Sequence, residues 1–118
     1  MSKSKHREGF ALLVASDSLG RGDYELGRLL MDRFLHEICG TSELPQTVIF
    51  INSGVKMVSE ASPMLEHLSR LDQSGVDLLA CSTCLERFGL IDKVAIGIKS
   101  DMRSIVEILT RSMKVISV

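Results

Sequence analysis

The sequence lacks any long apolar segment, any excess of charge of one sign and any tryptophan. Its 118 residues carry 14 Lys and Arg against 15 Asp and Glu, which gives a formal net charge of −1. Because the two signs are interspersed, the chain has no basic patch of the kind that nucleic-acid binders carry. No apolar run approaches the ~18 residues that a membrane-spanning helix needs. We therefore expect neither a nucleic acid nor a membrane as a partner.

Cysteine is also scarce, with only Cys39, Cys81 and Cys84 in the whole chain. A chain of this size can bury roughly two thirds of its unfolded surface, so one core needs no disulfide scaffold. The opening MSKSKHREGFALLVASD has no small-residue cleavage pattern of a secretory signal. We expect a cytoplasmic protein with a flexible leader over residues 1–9 and a single domain over residues 10–118.

One close pair of cysteines is too few for a structural zinc site, which usually needs four ligands. Cys39, His36 and His67 fall on predicted helices and show no complementary ligand spacing. We therefore expect no metal ion and no other cofactor.

Short apolar runs alternate with amphipathic segments along the chain. The runs typical of strands cover residues 10–15, 48–51, 76–80, 94–98 and 115–118. Strands separated by helices form βαβ units, and right-handed crossovers then produce a mostly parallel sheet. The pattern predicts a three-layer α/β/α sandwich with about five strands.

Capping residues mark where the helices begin. Asp23 can cap the first helix and Asp101 the last, while Thr83 and Glu86 have capping-box spacing for a short helix between them. The apolar stripe of the first helix, at helical spacing, comprises Leu26, Leu29, Leu30, Phe34 and Ile38.

Polar residues follow the predicted strands, at residues 16–23, 52–54, 81–84 and 99–101. In parallel α/β sheets ligands bind beyond the carboxyl ends of the strands. We therefore expect the functional site at this edge of the sheet.

The segment ACSTCLERFG places Cys81 and Cys84 three residues apart, directly after an apolar run. Cys81 falls in the predicted strand-to-helix turn, where oriented backbone N–H groups stabilise a thiolate. The polar neighbours Ser82 and Thr83 favour a functional thiol, although a cysteine at a strand end is more often packing material, as we expect for Cys39.

Two thiol chemistries fit this pair. A persulfide carrier needs an accessible nucleophilic thiol and a positive field, which Arg21, Lys99 or Arg103 can supply to Cys81. A dithiol oxidoreductase would use Cys81 and Cys84 together. The absence of tryptophan, and of a proline directly before a strand, argues against the thioredoxin-like version of that chemistry.

A third possibility is a non-catalytic module that binds an anion or a partner protein. The glycine-rich loop SDSLGRGDYELG offers Arg21 and the backbone of Gly22, and the next polar loop offers Asn52, Ser53 and Gly54. Neither loop matches GxxxxGK or GxGxxG, so no nucleotide is implied. Tight turns explain both loops equally well.

Four segments resemble one family: SDSLGRGDYELGRLLMDRFL, VIFINSGVKMVSE, GVDLLACSTCLERFGL and SDMRSIVEILTRSMKVISV. They are closely similar to the carboxyl-terminal domain of YedF-type proteins of sulfur and selenium metabolism, within the DsrE/DsrF-like superfamily. The resemblance covers nearly the whole chain from Phe10 onward. It implies a parallel α/β sandwich, a homo-oligomer and a role in sulfur relay.

In sulfur-relay relatives such as TusD and DsrE, the acceptor cysteine lies as far before a glycine as Cys81 lies before Gly89. The resemblance therefore implies a persulfide on Cys81, and it leaves Cys84 as a resolving thiol, a second acceptor or a spectator. YedF-type proteins usually begin with a TusA-like domain carrying a CPxP motif, which this sequence lacks. A separate TusA-like protein is thus the expected sulfur donor or acceptor.

Overall fold

The computed structural model describes residues 9–118, so the leader expected over residues 1–9 lies, apart from Gly9, outside the described residues. The elements are β1 (Phe10–Val14), α1 (Tyr24–Cys39), β2 (Thr47–Phe50), a 3-10 helix η1 (Asn52–Val58), α2 (Leu65–Gln73), β3 (Asp77–Cys81), α3 (Ser82–Arg87), β4 (Ile98–Ser100), α4 (Met102–Arg111) and β5 (Lys114–Ser117). Across residues 9–118 no helix is both long enough and apolar enough to cross a membrane.

The five strands form one sheet in the order β4-β3-β2-β1-β5, and every pairing is parallel. All four residues of β2 are buried, as are the last four of β3, so both faces of these central strands are covered. Strands buried on both faces are typical of sheets with helices on either side. The predicted three-layer α/β/α sandwich with a parallel five-stranded sheet is confirmed.

Helix α1 begins where the sequence predicts, because the Asp23 carboxylate accepts a hydrogen bond of 2.9 Å from the amide of Leu26. Its buried face, however, is formed by Gly27, Met31 and Leu35. Gly27 is required there because a Cβ atom would overlap the hydroxyl oxygen of Ser18.

The apolar stripe of α1 is consequently split between the core and the surface. Leu26, Leu29 and Leu30 are 51%, 48% and 42% exposed, whereas Phe34 and Ile38 pack partly against the core. The protein thus carries an apolar helical surface that its own core does not cover.

Two local predictions near the carboxyl half are wrong. Strand β4 covers Ile98–Ser100 instead of residues 94–98, because Val94 pairs with Ser59 after η1 and Gly97 turns the chain at φ +85°. Helix α3 begins at Ser82 without a side-chain cap, so the Thr83 and Glu86 capping box does not form.

Candidate functional site

The carboxyl ends of the central strands lie together because the parallel register aligns them. Phe50 of β2 is level with Ala80 of β3, and Cys81 of β3 is level with Ser100 of β4. The segments that follow β2 and β3 are η1 and α3, and these two helices contact each other. The polar loops therefore meet at the edge of the sheet where the sequence predicts a site.

The two thiols of the CxxC segment are both reduced and lie side by side. Cys81 is the last residue of β3 and is only 2% exposed, while Cys84, one turn into α3, is partly buried. Cys81 is close enough to act on Cys84, since its thiol raises the pKa of the Cys84 thiol. The expectation that Cys81 lies in the turn as an accessible thiol is therefore wrong, because Cys81 ends a central strand whose last four residues are buried, and Cys84 is the thiol nearer the surface.

A backbone amide holds the outer sulfur. The N–H of Asn52, the first residue of η1, donates to Cys84 Sγ across 3.1 Å. Asn52 has φ +52°, a left-handed conformation that asparagine tolerates better than most residues. The contact therefore uses the backbone of Asn52.

The environment of the Cys84 thiol acts on its pKa in opposing directions. Burial raises that pKa most strongly, the Asn52 amide lowers it, and the hydrogen bond and charge of Cys81 raise it further. The net direction is upward, so the neutral thiol is favoured relative to a free cysteine.

The other predicted site residues divide into those near the thiols and those apart from them. Ser82 donates its hydroxyl to the carbonyl of Ser100 at 3.3 Å, and Thr83 is exposed. Arg21 and Gly22 are exposed in the loop after β1, and no hydrogen bond found within residues 9–118 joins either to a thiol. Lys99 and Arg103, the alternative cations, are also exposed.

Ser53 and Gly54 follow Asn52 in η1. A Cβ atom on Gly54 would overlap the carbonyl oxygen of Val14, so close packing of η1 on the end of β1 requires glycine. Ser53 is partly buried. Among the hydrogen bonds of residues 9–118, it is the backbone amide of Asn52 that joins this loop to a thiol, and a sequence pattern does not reveal a backbone contact.

A cleft of about 500 Å³ is lined by residues of η1 and by residues that follow α3. Most of these residues carry no motif that marks them in the sequence. Lys56 and Phe88 line the cleft, with Lys56 Nζ 4.8 Å from the centre of the Phe88 ring. Phe88 directly follows α3 and lies four residues after Cys84, a helical spacing that could have pointed to the cleft.

Asp17 and Tyr24 also line the cleft. The Tyr24 hydroxyl donates to Asp17 Oδ2 at 2.7 Å, and this hydrogen bond is the largest cause that raises the pKa of Tyr24. Asp17 is buried, and its Oδ1 atom has no hydrogen-bond partner within residues 9–118.

A second group of ionisable side chains joins α1 to α2, away from the CxxC segment. His67 Nε2 lies 2.8 Å from Asp32 Oδ1, and Cys39 Sγ donates to the backbone carbonyl of His67 at 3.4 Å. Burial raises the pKa of Cys39, as expected for a structural thiol. In the part of the chain that the structure describes, no three His, Cys, Asp or Glu side chains form a group able to hold a metal ion.

The parallel sandwich carries a CxxC segment that begins at the last residue of its third strand, β3. The DsrE/DsrF-like family model matches residues 4–118, so the chain belongs to that family. The family is associated with sulfur relay.

Solved structures with the same fold come from distant organisms. The ychN protein from E. coli is 14% identical with a TM-score of 0.68, and MTH1491, a protein of unknown function from Methanobacterium thermoautotrophicum, is 21% identical with the same score. Both alignments cover 94% of this chain and 99% of the other.

BT1422, a conserved protein of unknown function from Bacteroides thetaiotaomicron, is 18% identical with a TM-score of 0.60, over 92% of this chain and 94% of its own. No curated protein sequence matches the chain significantly. At these identities the structural likeness establishes the fold alone.

Proposed function

We propose that this protein is a sulfur-relay carrier that holds sulfane sulfur, with selenium as the alternative cargo, as a persulfide on Cys81. The observation that carries the proposal is the reduced Cys81 and Cys84 pair at the carboxyl end of β3, in a member of a family associated with sulfur relay. Two adjacent thiols can accept a sulfur atom and pass it on by thiol exchange.

Burial of Cys81 suits storage of a reactive group. A persulfide on a sulfur that is 2% exposed is shielded from solvent thiols, which would otherwise reduce it to sulfide. A specific partner that docks at the edge of the sheet can then control its release. A TusA-like protein is the proposed donor or acceptor, as the YedF-type resemblance implies.

The exposed apolar residues support a homo-oligomer, and proteins of this family are often oligomeric. We define the apolar strip as Leu26, Leu29 and Leu30 of α1 together with Ile116 of β5, which is 37% exposed. Phe34, four residues after Leu30 on α1, lines one shallow depression together with Ile116, so α1 and the edge strand β5 adjoin at this surface. A second copy of this chain is the proposed occupant, because an uncovered apolar strip beside an open strand edge favours self-association.

Dithiol redox chemistry is the second candidate, since Cys81 and Cys84 are both free thiols and lie three residues apart at the end of β3. It predicts a reversible Cys81–Cys84 disulfide in a redox buffer, measured by thiol titration. A bond that does not form at any buffer ratio would remove this candidate and leave the carrier proposal standing.

The test of the carrier proposal is intact-mass spectrometry after incubation with a cysteine desulfurase and cysteine. We expect the wild-type chain and the Cys39→Ala control to gain the mass of sulfur, and the double variant Cys81→Ala, Cys84→Ala to gain none. A wild-type chain without added sulfur, or a double variant loaded like the wild type, would refute the proposal.

A further inference from the structure

The two thiols differ in how accessible they are to a partner protein or a small donor. An incoming thiolate or persulfide must approach the attacked sulfur directly, and Cys81 at 2% exposure offers no such path. Cys84 is partly exposed on α3, three residues after Cys81. A sulfur atom that arrives from solvent or from a partner therefore meets Cys84 before Cys81.

Cys84 is also the thiol with a donor already aimed at its sulfur. The Asn52 nitrogen lies 3.1 Å from Cys84 Sγ, and its hydrogen bond favours the attacking thiolate and the resulting persulfide anion, which partly offsets the cost of burying a charge there. The donor is a backbone amide of η1 and not one of the amides at the start of α3.

We infer that Cys84 is the entry thiol, which takes sulfur from the donor, and that Cys81 is the second thiol, which receives it from Cys84. This inference rests on the proposed function and assigns an order to the pair. It differs from the role implied by resemblance, in which Cys81 reacts with the donor directly.

The first step conserves atoms and electrons. The Cys84 thiolate attacks the terminal sulfur of a donor persulfide R–S–SH, the donor S–S bond breaks, and R–S⁻ leaves with the proton that Cys84 gave up. Cys84–S–SH forms without any external oxidant, since the sulfane sulfur only changes its partner.

The second step repeats this exchange inside the protein. The Cys81 sulfur, having lost its proton, attacks the terminal sulfur of Cys84–S–SH, so Cys81–S–SH forms and the Cys84 thiolate takes up the proton. Attack on the inner sulfur instead would release H₂S and form the Cys81–Cys84 disulfide, with the sulfane sulfur reduced and the two thiols oxidised.

The test uses glutathione persulfide as the donor, rapid quenching with iodoacetamide and peptide mapping of the full chain. We expect Cys81→Ala to load at Cys84 at least as fast as the wild-type chain, and Cys84→Ala to load at Cys81 at least about tenfold more slowly because its remaining thiol is buried. Cys39→Ala is the matched cysteine control. Cys84→Ser, with a side chain of nearly the same size, repeats the slow loading if the effect is chemical and not a loss of folding.

The outcomes separate this inference from the proposed function. Loading of Cys84→Ala at the wild-type rate, or equal slowing of both single variants, overturns the order while sulfur carrying survives. No loading of the wild-type chain by glutathione persulfide or by the desulfurase overturns the proposed function itself. A faster alkylation of Cys81 than of Cys84 in the unloaded wild-type chain would also contradict the entry role of Cys84.

Discussion

Asn52 and Cys84 are joined by an N–H···S hydrogen bond of 3.1 Å, which links the first residue of η1 to the third residue of α3. It fixes the outer thiol relative to the end of β2, although 32 residues separate the two in sequence. The position of the Cys84 thiol therefore depends on tertiary structure.

Hydrogen exchange of the Asn52 amide reports this bond directly. We expect the amide to be protected in the wild-type chain and to exchange faster in Cys84→Ala, because that substitution removes the acceptor and leaves the donor to water. Amide exchange followed by NMR checks this, with the Leu26 amide, held by Asp23, as the internal reference. Unchanged protection of Asn52 in Cys84→Ala would show that another acceptor holds the amide.

The pKa of Cys84 should fall when Cys81 is removed. Burial is the largest cause that raises this pKa and remains in the variant, but the hydrogen bond and charge of Cys81, which also raise it, are lost in Cys81→Ala. We expect the pH profile of iodoacetamide alkylation at Cys84 to move to lower pH. Cys39→Ala serves as the common background so that no other free thiol contributes. A profile that stays in place or moves to higher pH would contradict the observed contact.

Packing of η1 on β1 predicts a strong stability effect at Gly54. A Cβ atom there would overlap the Val14 carbonyl, which is backbone and cannot move aside without shifting the strand end. We expect Gly54→Ala to lower the free energy of unfolding by about 2 kcal/mol.

Gly40→Ala is the matched control, since its Cβ atom would meet nothing closer than 3.7 Å and its φ is −97°. Urea denaturation of both variants measures the difference. Equal stability of the two variants would mean that η1 does not press on the end of β1.

The apolar strip predicts self-association through α1 and β5. We expect Leu30→Glu to shift the chain to a smaller assembly, because a carboxylate there would be buried against a second copy at a high desolvation cost. Light scattering coupled to gel filtration measures the assembly mass. Ile98→Glu places the same charge at a 64% exposed position on the opposite edge strand. Dissociation by Ile98→Glu with Leu30→Glu intact in size would place the interface at β4.

Much of the fold follows from local sequence patterns. The continuous apolar runs over residues 10–15 and 48–51 predict strands buried on both faces, and the structure has β1 and β2 there, each ending one residue earlier. Asp23 and Asp101 cap α1 and α4 as expected, with hydrogen bonds of 2.9 Å each. These signals work because capping and burial act over a few residues.

The buried face of α1 could not be chosen from its sequence. Leucines at 26, 29 and 30 compete with Met31 and Leu35, and hydrophobicity alone favours neither group. Gly27 is buried against Ser18, and this close approach depends on the fold of the preceding loop. The three leucines consequently remain exposed in the single chain.

The site is predictable in its location and less so in its geometry. A CxxC after a strand places two sulfurs at the carboxyl edge, but only the packed structure gives Cys81 its burial and Cys84 its partial exposure. Asn52 donates its hydrogen bond to Cys84 through its backbone amide, whereas a sequence motif identifies residues by their side chains. Arg21, singled out for its charge, lies in an exposed loop without a hydrogen bond to either thiol.

Cyanolysis of the loaded protein tests the central claim most directly, since cyanide converts sulfane sulfur, but not thiol or disulfide sulfur, to thiocyanate. After incubation with cysteine and a desulfurase, followed by removal of both, we expect a thiocyanate yield equal in moles to the protein chain. The double variant Cys81→Ala, Cys84→Ala, treated in parallel, should give none. A wild-type protein that yields no thiocyanate, or no more than the double variant, would contradict the account.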